Sequence, residues 1–196
     1  MEGKGTFYHI NGDVFEGQFV EDKANGQGTY THSNGQTYAG MWKDDLQDGQ
    51  GKEVLPDGSF YIGEFGNGMK NGDGMYQWAD GTKYSGNWAG NAIDGYGEYH
   101  WPDGRSYKGM WKNNKLHGKG LYTWQDGRSY DGEYADDKKQ GFGTYVWPDS
   151  KKYEGYWFNG KQHGQGKFTD SKGKSRVGVW KHGEREEWLP SSVKEV

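Results

Sequence analysis

The chain has no cysteine, only four prolines among its 196 residues, and no long apolar run. Without thiols there are no disulfides, no thiolate nucleophiles and no cysteine metal sites. No stretch approaches the roughly 20 apolar residues that carry a helix across a bilayer. Aliphatic side chains are scarce: Leu, Ile, Val and Phe together number 24. That excludes a thick two-layer aliphatic core, and taken alone it would read as disorder. A dominant charge is missing too. The net charge is −4, which argues against the basic surface of a nucleic-acid binder. The opening MEGKGTFYH lacks the apolar core of a signal peptide, so a soluble, intracellular protein is the expectation for a whole chain.

What is present is aromatic and periodic. Fifteen Tyr and ten Trp contradict disorder, because disordered chains are poor in aromatics. The stretch Gly95 to His117 carries the pattern. Gly95 and Gly97 come first, then Tyr99 and Trp101, a Pro102-Asp103-Gly104 turn, and Tyr107, Gly109 and Trp111. The same skeleton recurs every 23 residues, in units starting at Gly3, Gly26, Gly49, Gly72, Gly95, Gly118, Gly141 and Gly164. Eight units without insertion or deletion cover residues 3–186 as a single repeat array, and residues 187–196 form a tail that could cap it. A fixed period of this kind marks a stacked-repeat architecture.

Counting from zero at the first glycine, glycines occupy positions 0, 2 and 14, and aromatics occupy 4, usually 6, then 12 and 16. The period of two on either side of the turn makes each unit a β-hairpin. Pro, Asp or Asn, and Gly at positions 7, 8 and 9 fit a three-residue loop with glycine in the left-handed place. Position 4 then faces 12, 2 faces 14, and 0 faces 16. Facing residues share a side of the sheet, so the glycines and rings lie together, with glycine as floor beneath the rings. The other face, carrying Glu98, His100, Lys108 and Met110 in the central unit, is mostly polar.

The third unit is the least regular interior copy. Glu53 and Leu55 replace its first-strand aromatics, and Gly66-Asn67-Gly68 loosens its exit. Tolerated drift and a local bend both account for it. In the seventh unit Ser150 stands where the turn glycine belongs, and in the eighth Arg176 replaces the hairpin tyrosine. Terminal repeats are expected to depart in this way because they cap the stack. The sheet is expected to curl into a twisted ribbon with the aromatic rows along a groove.

The pattern resembles the MORN repeat (membrane occupation and recognition nexus) over nearly the whole chain. Gly95, Gly97, Asp103-Gly104, Tyr107, Gly109 and Trp111 are the matching residues of the best unit. The resemblance implies an all-β, elongated, single-layer antiparallel sheet of stacked hairpins and a non-catalytic role. It also implies a cytoplasmic setting associated with cytoskeleton, cilium or membrane.

Catalytic chemistry finds no support in the residues. The six histidines fall at scattered repeat positions, without metal-ligand spacing. The Gly-x-Gly pairs lack the third glycine and helix of a dinucleotide loop, and there is no Walker sequence. No catalytic residue, metal or cofactor is expected, and no nucleic acid. The leading expectation is a scaffold that binds an extended or helical segment of a partner protein along the aromatic groove. The groove residues are Tyr76, Tyr99, Tyr122 and Tyr145; Trp78, Trp101, Trp124 and Trp147; Tyr84, Tyr107, Tyr130 and Tyr153; and Trp88, Trp111, Tyr134 and Trp157. The alternative is a peripheral tether to anionic phospholipid through Lys167, Lys172, Lys174, Arg176 and Lys181. Open edges at Gly5–His9 and near Val177–Trp180 would also invite self-association.

Overall fold

The alternating pattern becomes strand throughout. A computed structural model describes residues 2–190, with seventeen β-strands and no helix among them; the tail from Ser191 lies outside the described residues. Two compact units divide the chain at Gly95, and the 23-residue period continues through that point in phase. The first unit holds β1 (Gly3–Tyr8), β2 (Val14–Val20), β3 (Lys23–Thr31), β4 (Thr37–Lys43), β5 (Leu46–Val54), β6 (Phe60–Gly66), β7 (Met69–Gln77) and β8 (Lys83–Ala89). Each pairs antiparallel with the next. Strand β9 (Ala92–His100) spans the division. The second unit continues with β10 (Ser106–Lys112), β11 (Lys115–Thr123), β12 (Ser129–Ala135), β13 (Lys138–Val146), β14 (Lys152–Phe158), β15 (Lys161–Thr169), β16 (Ser175–Lys181) and β17 (Glu184–Trp188). Its strands from β10 onward are also consecutive antiparallel neighbours.

Inside each repeat the register is the one the spacing requires. Gly118 faces Tyr134, Gly120 faces Gly132, and Tyr122 faces Tyr130. The loop has three residues: His32 N–H donates to Gln36 O at 2.8 Å and Gly35 N–H to His32 O at 2.9 Å, with Gly35 at φ +92°. Ser150 takes the same left-handed place at φ 65°, so the substitution leaves the loop intact at a cost of about 1 kcal/mol.

Consecutive repeats join through a second kind of turn. Glu21–Asp22 (φ 50° and 64°) and Asn67–Gly68 (50° and 79°) are two-residue turns with both residues left-handed. This type I′ geometry matches the twist of the flanking strands. Asn67–Gly68 is therefore a regular turn, closed by Gly66 opposite Met69, and the loosened exit expected for the third repeat is absent. The turns also clamp one another. Asp45 Oδ1 accepts from Ala24 N–H at 2.7 Å, and Asp137 Oδ1 accepts from Leu116 N–H at 2.8 Å.

Each of these turns is followed by a bulge. Gly109 pairs with Gly120 and Trp111 with Leu116, so Met110 alone opposes three residues centred on Gly118. Gly118 sits at φ +62° and its first-unit counterpart Gly26 at φ +89°. The position-0 glycine thus serves the backbone, as a left-handed bulge residue, and is not part of the floor.

The floor is made by positions 2 and 14. A Cβ on Gly109 would stand 2.6 Å from Tyr107 Oη, and one on Gly120 only 2.2 Å from it. The Tyr107 ring lies over this pair, fully buried, and its hydroxyl donates to Met110 O at 2.9 Å. Tyr38, Tyr61, Tyr84, Tyr130 and Tyr153 repeat the arrangement. Position-16 rings stand edge-on against these tyrosines. Tyr107 meets Trp111 at 5.2 Å and 88°, and Tyr134 at 5.5 Å and 89°. Edge-to-face pairs of this kind add about 1 kcal/mol each beyond the area they bury.

The C-terminal edge is not open at Val177–Trp180, because β17 pairs along β16. Glu187 occupies the place of a bulge glycine, and the bulge is one residue shorter there. Trp188 consequently faces Gly178 instead of the following residue doing so, and its ring closes the end of the aromatic face against Trp180 at 5.9 Å. On the opposite face, the second unit exposes Met110, Leu121, Phe142 and Tyr156, which is more apolar than the expectation from the central repeat.

Replacing a floor glycine should cost far more than replacing a loop glycine. Gly120→Ala must displace the Tyr107 ring and should lose about 3 kcal/mol. Gly127→Ala, with nothing within 4 Å of the new Cβ but φ +89°, should lose about 1 kcal/mol. Urea unfolding of both variants checks this, and equal losses would contradict the floor.

Candidate binding face

The sixteen expected groove residues separate into two layers. Tyr84, Tyr107, Tyr130 and Tyr153 are fully buried, and Trp88, Trp111, Tyr134 and Trp157 are at most 7% exposed. These eight support the face from beneath. Position 16 is further fixed where an indole donates to a floor carbonyl, as Trp157 Nε1 does to Gly143 O at 3.0 Å. The accessible layer comes from positions 4 and 6. Tyr76, Trp78, Tyr99, Trp101, Trp124 and Trp147 are partly exposed, while Tyr122 and Tyr145 show about a tenth of their surface.

In the second unit this upper layer is continuous. Tyr99 and Trp101 lie 4.4 Å apart, Trp101 and Tyr122 5.3 Å, Tyr122 and Trp124 4.4 Å, and Trp124 and Tyr145 5.8 Å. Tyr145 then reaches Trp147 at 4.7 Å, and Trp147 reaches Phe168 at 6.1 Å. Arg105 and Arg128 cover Trp101 and Trp124 at 5.2 and 5.3 Å. Each guanidinium is held by a turn carboxylate, Asp103 at 2.7 Å and Asp126 at 2.8 Å. The first unit has a different upper layer. In its first two repeats histidine replaces tryptophan at position 6, giving Phe7–His9 and Tyr30–His32 contacts of 4.7 and 4.6 Å. Beneath them the buried Asp13 accepts from Tyr30 Oη and Ser33 N–H, both at 2.8 Å. The Ser33 N–H, with Tyr30, holds the Asp13 carboxyl well below the usual carboxylate range, and burial pushes the Tyr30 phenol up to about 12. A hollow of 840 Å³ in the first unit lies on the opposite, polar face, over Gly17, Gly28 and Gly40.

Position 21 belongs to the site, although spacing within the hairpin does not reveal it. The two-residue turn puts 21 opposite 16, as Tyr134 opposite Lys139 and Phe65 opposite Lys70. Extending the facing rule across the turn would have placed this column on the aromatic side. Lys70 lies over Tyr61 and Tyr76 at 5.3 and 5.8 Å and pairs with the Glu53 carboxylate at 2.5 Å. The irregular Glu53 therefore has a physical reason. Lys139 Nζ stands 4.4 Å from the Tyr145 ring, 4.8 Å from Trp157, 5.0 Å from Tyr130 and 5.4 Å from Trp124. Burial, with the Arg128 charge, pushes this lysine down to about 8.

The basic cluster is not brought together. Arg176 stacks on Trp188 at 4.5 Å, and Lys181 lies 3.9 Å from Glu186. Lys167 is opposite Glu154 in register, on the face away from the rings. Lys172 and Lys174 share the turn closed by Asp170. Among the described residues no group of three or more acidic or histidine side chains could hold a metal ion, and no helix is long and apolar enough to cross a membrane.

A family model described as the MORN repeat matches residues 1–14, 15–37, 38–60, 61–83, 84–104, 107–127, 130–152 and 153–175. No curated protein matches the chain. Among solved structures, the G-box domain of the microcephaly protein CPAP is similar with a TM-score of 0.51 at 16% identity, covering 91% of this chain and 100% of that one. The SAS-4 (dCPAP) TCP domain of Drosophila melanogaster, solved in complex with a proline-rich motif of Ana2 (dSTIL), gives 0.49 at 9% identity, covering 91% and 90%. The first likeness is one of fold, and the lower score of the second adds nothing to it.

The lysine's environment has a measurable consequence. Its folded pKa lies below the unfolded value, so the cost of charging it is fully present below about pH 8 and is relieved as pH rises toward about 10.5. Lys139→Met should raise stability at pH 7 by about 1 kcal/mol or more and remove that relief. Thermal unfolding of both proteins from pH 7 to 10 checks this; a destabilised variant at pH 7 would contradict it.

Proposed function

The chain belongs to the MORN-repeat family, and from that premise we propose that it is a non-catalytic scaffold that binds a segment of a partner protein along its aromatic face. The observation that carries this reading is the continuous row of rings from Tyr99 to Phe168, in which Tyr99, Trp101, Trp124, Trp147 and Phe168 are partly exposed and Tyr122 and Tyr145 join them from below. Tyr, Trp and Arg are the residues most enriched at binding hot spots; here the tyrosines lie on strands, and the Trp and Arg side chains flank the short hydrogen-bonded turns that join them. Because their partners beneath hold them in place, little ordering cost attaches to binding. An extended segment would cross successive rings, one repeat at a time. The setting proposed for this scaffold is an assembly at the cytoskeleton, cilium or membrane.

Tethering to anionic lipid through the last repeat has less support, since Arg176 and Lys181 already have aromatic or acidic neighbours. Self-association through β1 would be an end-to-end alternative, visible as a concentration-dependent mass in light scattering.

Substitution of the upper layer separates binding from folding. Trp101→Ala with Trp124→Ala should leave the sheet intact by circular dichroism and lose at least tenfold in partner capture from cell extract, about 1.4 kcal/mol. Undiminished capture by the folded double variant would remove the aromatic face as the binding surface.

A further inference from the structure

Lys139 presents an unusual pairing of features. Its ammonium is enclosed by four aromatic rings at 4.4 to 5.4 Å. Among the described residues it has neither a salt-bridge nor a hydrogen-bond acceptor. Beside it a hollow of 410 Å³ opens between Trp147 and Trp157, rimmed by Lys161, His182 and Glu184.

Cages of aromatic rings commonly take up a cation. This one already contains the protein's own, so a second cation would be repelled and an anion attracted. The first unit shows which anion the position accommodates. Lys70 has the same repeat position and also lies over tyrosine rings. There Glu53, at position 4, brings its carboxylate to the ammonium, and both side chains are largely shielded from water. In the sixth repeat position 4 is Tyr122, so the chain supplies no equivalent carboxylate to Lys139.

We propose that the hollow at Lys139 is a carboxylate-binding site, filled by a glutamate or aspartate side chain of the partner segment that lies along the ring row. The proposal rests on the binding-face reading and adds to it the chemistry of one contact. Lys161 at the rim favours an acidic ligand, and Glu184 opposes a second negative charge, which favours a single carboxylate over a doubly charged phosphate. Binding there replaces a partly shielded, unpaired ammonium with a paired one, as Glu53 does for Lys70. Breaking one partner of a buried charge pair is costly for the group left behind; here the unpaired state is the resting one, so pairing contributes to affinity.

The test selects ligands from a phage-displayed library of random decapeptides, using the full chain, Lys139→Met and Tyr122→Glu. Tyr122→Glu installs the carboxylate that Glu53 supplies to Lys70 and should occupy Lys139 from within. The wild type should enrich peptides with a glutamate or aspartate at one fixed place. A selected glutamate peptide should bind about tenfold more tightly than its glutamine twin, and both variants should lose that ratio. Peptides selected without an acidic residue, or an acidic preference that survives in both variants, would overturn the proposal while leaving the binding face standing. If no peptide is selected at all, the binding-face reading fails and this proposal with it. Binding of phosphatidylserine vesicles by the wild type and not by Lys139→Met would also overturn it, in favour of a lipid headgroup.

Discussion

A phenol ring laid over two facing glycines is the contact on which six of the eight repeats depend. Its geometry leaves no freedom: a methyl group on either glycine would enter the ring. The hydroxyl is fixed in turn by the carbonyl three residues on, at 2.9 to 3.1 Å in all six copies. This substitutes for an aliphatic core. A layer one sheet thick cannot bury leucines between two sheets, but it can bury a flat ring against its own backbone where side chains are missing. The edge-on rings at position 16 then link one tyrosine to the next, so the apolar area is shared between neighbouring repeats. That is the usual logic of a stacked array, in which each unit is stable only against its neighbours.

The functional face follows from what this lower layer leaves over. With positions 12 and 16 committed to the floor, the rings at 4 and 6 are lifted into partial exposure. The charged residues at positions 10 and 21 flank them: Arg105 and Arg128 over tryptophan faces, Lys70 and Lys139 between rings. Variation among repeats then adjusts chemistry without disturbing the frame. Histidine at position 6 changes the first unit's surface, and Glu53 neutralises one lysine where Tyr122 leaves another unpaired. A rigid support with a variable upper layer can specialise repeat by repeat, because loss of a surface ring does not remove the tyrosine beneath.

Much of this was legible in the spacing. Period two around a Pro-Asp-Gly loop determined the register of each hairpin, and the register put Gly97 opposite Gly109 and the rings over them. The information ended where the repeat ended. The residues of the second turn differ from copy to copy, Glu21–Asp22 in one and Asn67–Gly68 in another, and share only a tolerance for left-handed backbone. Without that turn, position 21 had no assigned face and Lys139 no environment. Gly118 was misread as floor because alternation alone places it there; the bulge takes it out of alternation. The tail from residue 187 was legible as a cap, but the strand that carries Trp188 was not, since Glu187 breaks the glycine pattern and the shortened bulge that results is visible only in three dimensions.

The central claim concerns the six buried tyrosines, and their ionisation tests it most directly. Burial raises their phenol pKa values above the ordinary range, with Tyr38 at about 12. An unfolded phenol ionises near 10, so this contribution to stability is fully present below about pH 10 and is lost as pH rises beyond it. Phenolate absorbance and far-ultraviolet circular dichroism should be followed together through that titration. The account predicts that these six of the fifteen phenols, and with them the similarly buried Tyr134, ionise only together with cooperative loss of the sheet. Ionisation of all fifteen near pH 10 with the sheet intact would contradict it.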